Sequence, residues 1–390
     1  MALESYAASK PRYEILDGLR GVAAMTVVVF HLFETYAASA SSQIINHGYL
    51  AVDFFFVLSG FVVGYAYDDR WDRMSIWDFF KRRLVRLHPM VIMGTVLGAC
   101  FYFFGQGDVF PHIGHVSGWK VLAAFVMGCL MIPCGPKMDI RGWGEMNSFN
   151  GPNWSLTWEY LANILYAFVF RRLSLPLLGL CTAVAGFCTL DLCLDMNVWG
   201  LLSEGRSAQA YTVIGGWSLT PEQLYIGATR LFYPFLCGLL LSRVKRFIKV
   251  RGGFWWCAAV LVAALAFPCI GRPANIFNGA YNAACIMLVF PLVVVTGAGS
   301  ALKGKKSIAL CNALGEISYP LYITHYPLIY MQTNWAAEHP DAPLYAHIMT
   351  AAGVFVLSVL LAWACLKLYD IPVRRWLTER FLTHGKRSAA

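Results

Sequence analysis

Apolar residues fill long uninterrupted stretches of this chain, and polar residues gather in the short segments between them. A helix rises 1.5 Å per residue, so about twenty apolar residues cross the ~30 Å hydrocarbon core of a bilayer. The first such run extends from about Ile15 to Tyr36 and the second from about His47 to Tyr67. A charged link, Asp68 to Pro89, leads to a third run from Pro89 to Phe104. The stretch 105–152 is the longest break, rich in Gly, Pro, His and Trp. Its apolar piece, Val121 to Ile132, is too short to span and reads as re-entrant or interfacial. A fourth helix runs from Asn153 to Arg171-Arg172, and further spans fall near 173–194, 223–241, 253–270, 278–298, 313–334 and 346–368. The pattern predicts an all-α, polytopic integral membrane bundle of about ten transmembrane helices. It forms a single domain over 1–390, with 1–14 and 371–390 as tails.

Composition supports this reading. Of 390 residues, 58% are hydrophobic and only 14% charged, whereas soluble domains carry nearer 25% charge. The net charge of +9 would suit nucleic acid. The basic residues instead cluster between apolar runs, so a nucleic-acid partner is not expected and the bilayer is. With the amino terminus inside, inner segments hold twenty-three Lys and Arg and outer segments five, which places both termini in the cytoplasm. The twelve cysteines sit mostly in apolar runs without a C-x-x-C pattern; they read as small buried hydrophobes, with no metal site. Cys129/Cys134 and Cys188/Cys193 are the close pairs, and neither is expected to form a disulfide. Ala38-Ser39-Ala40 resembles a signal-peptide cleavage site, but Asp17, Arg20 and His31 are wrong for a leader, so cleavage is not expected.

Charge inside the apolar runs is costly and marks candidate function. Arg20 and His31 are eleven residues apart in the first run. Eleven helical steps bring them to one face, separated by roughly 16 Å along the axis. A plain alternative is a snorkelling arginine and a hydrogen-bonded bundle histidine. Depth counting puts His31, Asp53, Glu159 and His325 at a common level in the outer half. A carboxylate beside an imidazole fixes its tautomer and raises its basicity. Asp53 is the first candidate to orient His31, and Glu159 the second. On the inner side Arg83 and Arg86, at i and i+3, share a helical face suited to phosphate; orientation and attraction to anionic lipid are the simpler explanation of the bare pattern. Arg230 lies inside the sixth span, where it would pair with a carboxylate or bind an anionic substrate.

Taken together, five segments resemble the acyltransferase-3 family, membrane enzymes that O-acylate sugars and related acceptors. They are Arg20 with His31; Gly48-Tyr-Leu-Ala-Val-Asp53-Phe-Phe-Phe-Val-Leu-Ser59-Gly60-Phe61; Arg83-x-x-Arg86 followed by Pro89; Trp154-Ser155-Leu156-x-x-Glu159; and Ser318-Tyr319-x-Leu321-Tyr322-x-x-His325-x-Pro327. The order is that of the family, and the likeness covers most of the chain. Without an appended hydrolase domain, it resembles the compact bacterial type. The resemblance implies His31 as catalytic histidine and an acyl-CoA donor, usually acetyl-CoA, held near Arg20, Arg83 and Arg86. It implies a bacterial inner-membrane location and a saccharide acceptor: an exopolysaccharide, an O-antigen or a lipid-linked glycan. No bound cofactor is expected. Direct attack by the acceptor hydroxyl and an acyl-imidazole intermediate are the two mechanisms. A transporter or flippase is the rival reading, since buried charge in interrupted helices also suits alternating access. A non-catalytic partner of polysaccharide-assembly proteins is a third.

Overall fold

The computed structural model describes residues 10, 12–37, 43–272 and 274–382. Ala38-Ser39-Ala40 and the tail residues Lys386 and Arg387 lie outside them. Every regular element among the described residues is helical. In chain order these are α1 (Glu14–Glu34), α2 (Ala51–Tyr67), α3 (Ile76–Tyr102), α4 (Gly118–Cys129), α5 (Asn153–Phe168), α6 (Leu175–Cys193) and α7 (Pro221–Val244). There follow α8 (Gly253–Ala266), α9 (Ile276–Ala284), α10 (Phe290–Gly299), α11 (Lys305–Thr324), α12 (Tyr326–Glu338), α13 (Leu344–Cys365) and α14 (Ile371–Leu377). Single wide turns join α9 to α10 and α13 to α14.

Seven helices among the described residues are long and apolar enough to cross a membrane, so the chain is a multi-pass helical membrane protein. The other three expected spans coincide with α5, α8 and the α11–α12 pair, which are helical but shorter or more polar. The short apolar piece in the long break is α4, twelve residues.

Two boundaries differ from the sequence expectation. The third helix begins at Ile76, thirteen residues before Pro89. Ser75 and Asp78 form a reciprocal capping box there, and the basic run Lys81–Arg86 is helical. Pro89 therefore sits inside α3 rather than opening it. The run 313–334 is not one helix but breaks at His325. Pro327 has no N–H to give the carbonyl four residues back, at Ile323. Asn150 Nδ2 donates to that carbonyl instead, at 2.7 Å, so the loop before α5 is fastened to the break.

α1 packs along α11 and α2 along α7 at the centre of the bundle. The α2–α7 contact is backbone to backbone. A methyl at Gly60 would meet the Phe235 carbonyl, and one at Gly238 the Val57 carbonyl. Small residues permit this approach, as in other membrane helix pairs.

Candidate functional site

A cavity of about 410 Å³ opens among α1, α2, α12 and the loops before α5 and α7. His31, near the end of α1, is on its wall with Glu34, one turn later. His31 Nδ1 lies 2.7 Å from Glu34 Oε2. This contact fixes the imidazole: Nδ1–H donates to the carboxylate, and Nε2 is left as the acceptor. The His31 side chain is 17% exposed, so a solute entering the cavity can reach it.

The carboxylate on His31 is thus neither Asp53 nor Glu159. Asp53 is fully buried and paired with Arg230, Oδ2 to Nη2 at 2.7 Å and Oδ1 to Nε at 3.4 Å. Arg230 also donates to the carbonyls of Tyr49 and Gly215, and its guanidinium lies 5.0 Å over the Trp154 ring. Arg230 is thus paired with a carboxylate and also lines the cavity. Glu159 sits elsewhere: its Oε1 accepts from Arg83 Nη2 at 2.7 Å and from Ser59 Oγ at 2.6 Å. Depth counting failed for Glu159 because α5 and α3 cross at the arginine level, not the histidine level. Two members of the expected quartet do meet. His325 stacks on His31 with ring centroids 5.5 Å apart. It is fully buried, its Nδ1 donates to the Leu321 carbonyl at 3.0 Å, and its Nε2 has no partner among the described residues.

The arginines converge from two helices. Arg20 and Arg83 both lie close enough to Arg86 to act on its charge. Arg20 is held by Ser318 Oγ at 2.8 Å, the Gly315 carbonyl at 2.9 Å and Asp17 at 3.2 Å. Arg83 is tied to Glu159, whereas Arg86 forms no ion pair among the described residues. Of the later motif residues, Trp154 and Tyr322 face the cavity, and Ser155 shares a 2.8 Å hydrogen bond with the Tyr322 hydroxyl.

Several cavity residues were missed in the sequence. Glu34 was legible as an i+3 neighbour of His31. Trp143, Glu145, Trp217, Tyr326 and Tyr330 also line the wall. Glu145 belongs to a tight loop in which the Asp139 carboxylate gathers the N–H groups of Arg141, Gly142 and Gly144. Gly142 and Gly144 have φ of +94° and +71°, a left-handed backbone that favours glycine. Tyr330 donates to Glu145 Oε2 at 2.6 Å, and burial pushes the Glu145 carboxyl up to about 7 against that hydrogen bond. Among the described residues no cluster of three or more His, Cys, Asp or Glu could hold a metal.

Relatives found by comparison with known proteins include the following three. The "Protein 2 in picA locus" of Rhizobium radiobacter is 34% identical over 163 residues, 40% of this chain and 81% of that protein. The "O-acetyltransferase OatA" of Staphylococcus aureus is 22% identical over 388 residues, 94% of this chain, which spans 58% of OatA's length. The "Acyltransferase MdmB" of Streptomyces mycarofaciens is 22% identical over 330 residues, 82% of this chain and 79% of that protein. No solved structure matches. An acyltransferase-domain model matches residues 13–367, nearly the whole chain, and the chain belongs to the acyltransferase-3 family.

Proposed function

We propose that this protein is a membrane O-acyltransferase that moves an acyl group, acetyl by preference, from cytoplasmic acyl-CoA to a hydroxyl of a saccharide at the opposite face. The observation that carries the reading is His31 on a solvent-reachable cavity with its Nδ1 held by Glu34 and Nε2 left to accept. Two relatives named as an O-acetyltransferase and an acyltransferase support the group transferred. Ten spans with both termini in the cytoplasm, in a bacterial inner membrane, fit the positive-inside count.

In this mechanism His31 Nε2 takes the proton from the acceptor hydroxyl as its oxygen attacks the thioester carbonyl. The carbon–sulfur bond breaks, and the coenzyme A thiolate leaves with the proton that the imidazolium returns. Glu34 stabilises the transient imidazolium. Arg20, Arg83 and Arg86 meet the phosphates of coenzyme A, since guanidinium groups bind phosphate by charge-assisted hydrogen bonds. Arg86, without an ion-pair partner among the described residues, is the cation most open to them. The arginines and His31 sit on or beside α1 about three turns apart, a distance suited to a pantetheine arm between them.

The test is acetyl-CoA turnover by purified protein in detergent or vesicles, with cell-surface glycan mass measured in parallel. His31→Ala is expected to lose transfer by about 10²-fold or more, the range of general-base catalysis. Near-normal transfer by that variant refutes the assignment. Acyl-protein trapped before acceptor is added would instead establish an acyl-imidazole route.

A further inference from the structure

The cavity wall opposite α1 carries a carboxylate that the mechanism leaves unused. Glu145 is 7% exposed and comes from a loop rather than a helix. Its Oε2 accepts from the Tyr330 hydroxyl, and that hydroxyl itself accepts from the Gly151 N–H at 3.1 Å. Among the described residues nothing donates to Oε1, and Glu145 lines the cavity in which His31 also stands. A methyl built on Gly151 would lie 2.5 Å from Glu145 Oε1, 3.0 Å from the Tyr330 hydroxyl and 3.1 Å from the edge of Tyr326. The lack of a side chain at Gly151 lets these three groups close on one point. Tyr326 links this point to the base, with ring centroids 4.8 Å from His31 and 4.7 Å from Tyr330.

The surroundings are those of a sugar-sized site. Trp143 stands two residues from Glu145 on the same loop, and Trp154 and Trp217 line the same cavity. Flat aromatic faces suit the apolar face of a pyranose, while a few fixed polar groups set its orientation. Arg141 lies 3.6 Å over the Tyr330 ring and Asp139 clamps the loop, so the groups that hold the carboxylate are themselves held. A group held this rigidly loses little freedom when a ligand binds.

We propose that Glu145 is an acceptor-positioning residue: its Oε1 accepts a hydrogen bond from one hydroxyl of a neutral saccharide and thereby aims another hydroxyl at His31. This rests on the acyltransferase reading above. The neutral class follows from the lining, because its arginine, Arg230, is already neutralised by Asp53 and no other Lys or Arg among the described residues lines the cavity to meet a carboxylate.

The experiment measures acetyl transfer to methyl glycosides of glucose, galactose and N-acetylglucosamine, and to methyl glucuronide, with acetyl-CoA varied separately. Glu145→Gln and Tyr330→Phe are compared with wild type. The expected result is at least a tenfold rise in KM for the neutral glycoside, about 1.4 kcal/mol. The KM for acetyl-CoA stays within twofold, and wild type prefers neutral glycosides to the uronide. A glycoside KM unchanged in Glu145→Gln overturns the proposal while leaving the acyltransferase reading intact. His31-dependent hydrolysis of acetyl-CoA with transfer to none of these sugars overturns the saccharide class, and the role of Glu145 with it. No acetyl-CoA consumption by wild type removes the underlying reading itself. Because Tyr330→Phe keeps the ring and deletes one oxygen, a matching KM rise there, with a normal unfolding transition in both variants, separates positioning from misfolding.

Discussion

Replacing Asp53 tests whether that carboxylate holds the wall of the cavity or takes part in the chemistry. Its side chain has no exposure, and that of Arg230 has 2%. Asp53→Ala leaves the guanidinium buried against two carbonyls, those of Tyr49 and Gly215. Removing one partner of a buried ion pair typically costs about 3–5 kcal/mol, because the other charge is left uncompensated. Arg230→Met should cost a similar amount by stranding Asp53. The double variant removes both charges and should be far less damaging than the two single losses added together. The assay is reversible unfolding in mixed detergent, read by tryptophan fluorescence, with transfer activity scaled to the folded fraction. A loss of less than about 1 kcal/mol in either single variant, or two losses that simply add, refutes the structural role of the pair. A stable Asp53→Asn protein with lost turnover and a displaced pH–rate profile would return the carboxylate to the reaction.

Two further outcomes follow from the same geometry. Glu34→Gln keeps the shape but removes the charge that faces Nδ1; kcat should fall between about ten- and a hundredfold with donor KM unchanged, as expected when a reacting group is misoriented, and a kcat within twofold of wild type would dismiss Glu34 as the orienter. Glu145, faced by Tyr330, Arg141, Asp139 and Glu34, has its carboxyl raised from 4.5 to about 7, so its contribution to stability is fully present below about pH 4.5 and is lost as pH rises through 7. Wild type should therefore lose stability relative to Glu145→Gln, by as much as about 3 kcal/mol, as pH goes from 4.5 to 8 in detergent melts, and parallel curves for the two proteins would exclude the burial argument.

What the sequence revealed depended on whether a signal is local. Runs of apolar residues announced the membrane helices because burial in lipid demands them one by one. Arg20 and His31 could be put on one face because both lie on α1, where helical spacing alone decides orientation. Asp53 and Glu159 were misassigned because a depth count says how far along a helix a group lies, and nothing about which neighbour its side chain meets. Their true partners, Arg230 and Arg83, are 177 and 76 residues away. The apolar run alone opens the third helix at Pro89, yet the Ser75–Asp78 capping box sets the start a turn and more before the basic run. Glu145 lay in a Gly- and Trp-rich stretch without periodicity. Its place depends on the Asp139 turn and on Tyr330, which no spacing rule connects to it.

The fastening of Asn150 to the Ile323 carbonyl also bears on the order of assembly. The two residues are 173 positions apart, and the carbonyl is on offer only because Pro327 left it without its helical donor. Helices inserted early in synthesis can pair among themselves, but the segment bearing Trp143 and Glu145 has no anchor at Ile323 until about five sixths of the polypeptide has been made. This wall of the cavity is therefore completed only once α11 and the break after it are in place. A nascent chain halted before α11 would carry the complete histidine helix and the loop's ties to Tyr102 and Trp217, yet lack the clasp that fixes its Asn150 end.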